Sequence, residues 1–235
     1  MNPWASLEQR IARRVRLGRR AVAVTFLDHE PRDVPKFAGA MPSGCSFWRL
    51  AADDGAFYTV PADHFNCPVG SHTHRIALPP EREPEMQQTL GLMFDVGYIL
   101  PADVPQIPQL AAPPRAVVYA PLGEAPVAPD VVIFAGPPSA VMLLHEAAQR
   151  AGATGAPALG RPTCMALPAA MEAGAAMSFG CIGNRVYTSL PDDDLYFAVK
   201  GSVLEKFAAA LDVIASANLR LGSYATDRRQ SLATA

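Results

Sequence analysis

The sequence has no apolar run long enough to span a bilayer, and no signal-type h-region follows its basic start. Neither a membrane anchor nor a secretory leader is therefore expected, and a cytoplasmic location is. Charge bias is missing too: a formal net charge of −2 gives no pull toward nucleic acid or anionic lipid. No G-x-G-x-x-G, G-x-x-x-x-G-K-[ST], H-E-x-x-H or G-x-S-x-G occurs, which argues against nucleotide-binding, zinc-protease and serine-hydrolase readings. Cysteine is scarce, at 4 of 235 residues, with no C-x-x-C pair and no C-x-x-C-H for covalent haem. The C-terminal tail lacks the apolar spacing of a coiled-coil dimer.

Half of the residues are hydrophobic and 18% are charged, which suits one large globular domain or two closely packed smaller ones. The basic stretch "RIARRVRLGRR" reads as a solvated helix face. A helix is expected over 5–17, then a strand at "AVAVTFL". A short helix at "CSFWRLAA", strands at "AFYTV" and "RIAL", a helix over 83–97 and a strand at "RAVVYAPL" follow. The second half reads as a strand "VVIFAG", a helix over 138–151 with Ser139 as N-cap, and a short helix "CMALPAAM". A strand "AAMSFG", a turn "CIGNR", a strand "LYFAVK" and a last helix then follow, with Ser202 and Glu205 at capping-box spacing.

Laid side by side, the halves repeat an order: strand, Cys45 or Cys164 with a short helix, strand, Cys67 or Cys181 with a glycine, strand, long helix. The expectation is an α+β fold of two pseudo-repeated halves, 1–122 and 123–235, each a small mixed or antiparallel sheet with outer helices. The cysteine turns would converge on the cleft between them.

All four cysteines sit in Gly- or Pro-marked turns, "PSGCSFW", "FNCPVG", "RPTCMALP" and "SFGCIGNR", rather than inside apolar periodic segments. A turn leaves backbone N–H groups free to face a sulfur and stabilise thiolate charge. In a reducing compartment these thiols are not expected to form disulfides. Four thiolates suit a [4Fe–4S] cluster or a tetrahedral zinc. Structural zinc usually takes two close C-x-x-C-like pairs, and the dispersed ligands here favour a cluster held between the halves. Cys45, Cys67, Cys164 and Cys181 are thus the candidate ligands. Two alternatives stay open: a cofactor-free enzyme using a cysteine thiol as acid or base on a small anionic metabolite, and a binding protein with zinc or no metal.

His72, His74 and Arg185 are the candidate ligand-binding groups. The two histidines alternate, so a strand entering "RIAL" would turn them to opposite sides. Arg49, Arg161 and Arg185 each lie within four residues of a cysteine, where a guanidinium could lower a thiol pKa or grip an anion. The partners expected are a small-molecule ligand or a redox protein, with no nucleic acid, no membrane, and a homo-oligomer left open.

At "GCSFWRLA", "FYTVPADHFNCPVGSHTH", "LGRPTCMALP" and "GCIGNRVYT" with "PDDDLYFAV", the sequence resembles the prokaryotic DUF169 family over most of its length. The resemblance implies that Cys45, Cys67, Cys164 and Cys181, with Gly183 and Arg185, are family-pattern positions. It implies no reaction.

Overall fold

The computed structural model describes residues 2–157 and 162–233. The chain begins with α1 (Pro3–Ala12), where the Asn2 side chain accepts from the Trp4 N–H and Pro3 fills the first turn. The first half continues with β1 (Val22–Leu27), α2 (Ser46–Asp54), β2 (Phe57–Thr59), α3 (Pro68–Thr73), α4 (Glu83–Asp95) and β3 (Ala116–Pro121). The second half adds β4 (Val131–Gly136), α5 (Pro138–Arg150), β5 (Thr154–Pro157), α6 (Ala166–Ala173), β6 (Gly174–Ser178), α7 (Ile182–Thr188), β7 (Leu195–Lys200) and α8 (Leu204–Ala233).

The class is α+β, but the halves do not keep separate sheets. All strands join one seven-stranded sheet of order β2-β3-β1-β4-β7-β6-β5. Every neighbouring pair is antiparallel except β5 with β6. The seam between the halves is the β1–β4 pair, where Val24 faces Val131. Outward from that seam, β1-β3-β2 on one side is matched by β4-β7-β6 on the other.

Period-2 alternation builds two cores on one sheet. Val22, Val24, Tyr196 and Ala198 face α2 and α6, whereas Ala23, Phe134, Phe197 and Val199 face α1, α5 and α8. Phe134, Phe197 and Phe207 are fully buried in the second of these layers, each contributing about 1.5–3 kcal/mol by removal from water. The result is a helix–sheet–helix sandwich with both cysteine-led helices, α2 and α6, on the same face.

Several expected elements differ. "RIAL" is no strand: Arg75 has φ 56°, and the Ile76 N–H turns back to the Ser71 carbonyl, so the chain ends α3 instead of extending. "RIAL" therefore contributes nothing to the sheet, and β7 lies between β4 and β6. "CIGNR" forms α7, begun by an extended Cys181 and ended by a left-handed Ser189 at φ 50°. The helix expected over 138–151 does start at Pro138, but its N-cap is Pro137, two residues before Ser139. Ser202 does not take the N-cap position of α8, because it lies inside a short 3-10 turn, Gly201–Val203, that leads into the helix. The edge strand β5 lies in a stretch that reads as a Gly/Ala/Pro loop. Among the described residues no helix is long and apolar enough to cross a membrane.

A candidate site lined by four cysteines

Each cysteine stands at the start of a helix on the same face of the sheet. Cys45 precedes α2, Cys67 is the N-cap of α3, Cys181 is the N-cap of α7, and Cys164 lies in the 3-10 turn Thr163–Met165 that runs into α6. Pro68 occupies the first turn of α3, and the Gly70 N–H donates to Cys67 Sγ at 3.2 Å.

The four turns lock onto one another in a ring. The Cys45 and Cys67 turns meet glycine to glycine: a Cβ on Gly70 would stand 3.7 Å from Gly44 Cα and 2.9 Å from Cys67 Sγ. Asn66 also donates to the Met41 carbonyl at 3.3 Å. The α3 helix packs on the Thr163–Met165 turn. The Cys181 N–H donates to Thr163 Oγ1 at 2.6 Å, tying the Cys164 turn to the Cys181 turn. Contacts between α2 and α7 close the circle.

All four cysteines line one cavity of about 570 Å³, a volume ordinary for a small-molecule site. Cys45 and Cys164 are buried, while Cys67 and Cys181 are half-buried. The four are free thiols. Burial pushes the Cys45 thiol up to about 11, with the Ser43 hydroxyl and the Asn184 amide offsetting part of the rise. Burial likewise raises Cys67, against backbone N–H groups of Gly44 and Gly70 that favour its thiolate. Cys164 is raised well above the usual thiol range by burial and by the thiols of Cys67 and Cys45. Among the described residues, no three His, Cys, Asp or Glu side chains are grouped so as to hold a metal ion.

Beyond the thiols the cavity is mostly apolar. The α4 helix lines it with Met86, Leu90 and Met93, and Val96, Val104 and Ile107 continue that wall. No residue of α4 is buried, and its extensive contacts are confined to the turn that leads into it. Glu85, Asn66, Thr89 and Asn184 supply scattered polar groups.

The other candidates divide. His72 lines the cavity, half-buried, with burial lowering its pKa and Gln109 Nε2 standing 3.2 Å from its ring. His74 does not line it. Both histidines belong to the end of α3 rather than a strand, and His74 packs inward, its Nδ1 2.7 Å from the Gly70 carbonyl. Burial lowers its pKa as well. Arg185 turns away: its guanidinium donates to the carbonyls of Phe179, Pro191 and Asp194 and braces the loop after α7. Arg49 reaches Asp53 and Ser189 instead of a cysteine. Arg161 lies outside the described residues.

Apart from His74, sequence reasoning did not single out a set of buried polar atoms around the ring. His64 Nδ1, His74 Nε2, Trp48 Nε1, Tyr119 Oη and Asn184 Oδ1 have no hydrogen-bond partner among the described residues. Buried polar atoms are nearly always paired, so five orphans in the layer that carries the cysteines mark it as unusual. His64 is 1% exposed and 5.4 Å from the His74 ring, and burial holds its pKa down to about 3.

A family model for the uncharacterised ArCR proteins, DUF169, matches residues 10–210 of this chain. No curated protein matches it, and no solved structure does.

Proposed function

Because this chain belongs to the DUF169 family, whose description carries no reaction, we propose its function from the site: Cys45, Cys67, Cys164 and Cys181 hold a [4Fe–4S] cluster beneath an apolar ligand chamber. The observation that carries this reading is the convergence of four cysteines, from four separate turns and both halves, on one cavity. The donor set fits. Free backbone N–H groups already face Cys67 Sγ, and the buried thiols lack the positive charge that would deprotonate them. Bound iron would supply that charge, since a metal-coordinated thiol loses its proton outright.

A single zinc fits less well. It needs four ligands within about 2.3 Å of one point, and no such grouping occurs among the described residues. A four-iron cluster takes each thiolate at a separate corner, which suits dispersed turns better. Thiol acid–base catalysis is also weakened, because Cys45, Cys67 and Cys164 are all held as neutral thiols at pH 7.

Such a cluster supplies one-electron transfer, or an iron able to bind a substrate oxygen or nitrogen. The chain's own part is to exclude water with Met86, Leu90 and Met93, and to present His72 and Asn184 as polar contacts at the wall. The chamber favours an apolar small molecule over the anionic metabolite of the thiol acid–base alternative: no Lys or Arg lines it among the described residues.

The test is anaerobic purification with iron and sulfide analysis. The expected result is a brown protein with iron and sulfide near four each per chain, lost on Cys164→Ser or Cys67→Ser. His72→Ala should keep the iron and alter only ligand binding. A colourless protein without iron after anaerobic reconstitution would sink the cluster reading.

A further inference from the structure

The α8 helix is 30 residues long, yet its last buried residue is Ala215. Asn218 makes one more contact with the body, donating to Glu146 Oε2 at 2.8 Å. From Leu219 to Ala233 every residue is exposed, so about 22 Å of helix runs on with no buried side chain. A stretch of that length containing Gly222 and Ser223 is marginal as a helix in water on its own. One face of it carries Leu221, Tyr224 and Leu232, each over 60% exposed.

The α4 helix has a matching deficit. It lines the cysteine cavity with Met86, Leu90 and Met93, but none of its residues is buried. Leu92 and Val96, at the cavity's rim, are also over 60% exposed.

Charge makes the two surfaces complementary. Residues 79–109 hold five acids and one base, a net −4, whereas 219–233 hold three arginines and one aspartate, a net +2. Aligned antiparallel with Leu221 against Leu92, the helices bring Arg228 against Glu85, seven residues or two turns away on each (228 − 221 and 92 − 85). Glu83 and Arg229 flank that pair. One chain cannot make this contact with itself. Its α8 packs with α1 and α5 on one face of the sheet, and its α4 lies over the cysteine cavity on the other.

We propose that a second copy of this chain covers α4: the α8 tail of each protomer docks antiparallel on the α4 helix of the other, in a two-fold dimer. The exchange backs the apolar wall of the ligand chamber with the partner's helix, so the chamber is complete only in the dimer. This goes beyond the cluster reading and holds with or without metal.

The experiment is light scattering with size-exclusion chromatography on the full chain, across a dilution series. Wild type is expected at twice the 25.0 kDa of the chain. Arg228→Glu with Arg229→Glu, and Glu83→Arg with Glu85→Arg, should each raise the dissociation constant at least about tenfold. All four changes together should restore it. These positions are exposed, so each variant should melt close to wild type. A wild type that is monomeric throughout the series overturns the proposal. So does a dimer indifferent to the arginine reversal, or one that the combined charge swap fails to restore, since either outcome places the contact elsewhere.

Discussion

Gly70→Ala separates the demands of folding from those of the cysteine site. The added Cβ would lie 2.9 Å from Cys67 Sγ, where carbon and sulfur need at least the roughly 3.5–4.0 Å of ordinary contact. The obstacle is the tip of a side chain, so relief comes from rotating Cys67. That forfeits the N–H···S bond at 3.2 Å, worth about 1 kcal/mol, and adds about 1 kcal/mol of rotamer strain and repacking. Alanine returns about 1 kcal/mol within α3 by its better helix propensity. The net loss is about 0–2 kcal/mol, a fall in Tm of no more than about 8 °C for a chain of this size. The sulfur nevertheless leaves its place in the ring. Gly70→Ala should therefore melt close to wild type and bind little iron. Gly44→Ala is the control: its Cβ meets His64 Nδ1 at 3.8 Å and Gly70 Cα at 3.9 Å, which is ordinary contact. It should keep both stability and iron. Calorimetry and iron analysis on the pair decide the matter, and a Gly70→Ala protein with full iron would refute the argument.

Further outcomes follow from the same structure. Gly201→Ala drives a Cβ into the Pro129 carbonyl, a backbone atom that cannot rotate aside, so urea unfolding should show a loss of about 3 kcal/mol or more. Asp212→Asn removes the carboxylate that α8 offers to Arg10 at 2.7 Å and Arg14 at 2.6 Å. Since all three side chains are partly exposed, the cost should stay near 1 kcal/mol and shrink in high salt. In chelator-treated protein, His64 has a folded pKa of about 3 against about 6.5 unfolded, so the unfolded chain binds more protons between those values. Its contribution is complete above pH 6.5 and is lost as pH falls toward 3. Wild type should thus lose about 2 kcal/mol more than His64→Gln between pH 7 and pH 5, and equal losses in urea titrations would count against a buried neutral imidazole.

The parts of the fold readable from sequence were those set by local pattern. The β-branched and aromatic runs "VAVTFL", "VVIFAG" and "LYFAVK" are β1, β4 and β7, because a two-sided core rewards every residue in them. "RIAL" carried the same signal and failed, since the left-handed Arg75 folds that stretch back on α3. Gly183 and Asn184 made α7 read as a turn, although its capping is supplied from elsewhere: Thr163 accepts the Cys181 N–H from 18 residues away. The merger of two sheets into one depends on β1 meeting β4, a long-range pairing with no local trace. Turn glycines and prolines did draw attention to the four cysteines, and the structure lines one cavity with all of them. The Tyr119 hydroxyl left no sequence signal, because inside "RAVVYAPL" the residue is one more strand aromatic until its hydroxyl is found without a partner among the described residues.

The ring of turns has a consequence for biosynthesis. Cys67 and Cys164 are 97 residues apart (164 − 67), and the ring closes only when both halves share one sheet. At about 5–20 residues per second, the Cys45 and Cys67 pair leaves the ribosome roughly 5–20 s before Cys164. During that interval the cell meets a two-thiol chelate of the wrong valence, attached to an incomplete sheet. Under the cluster reading, loading with metal would therefore follow translation, and the first two thiols would have to stay reduced until the last two arrive.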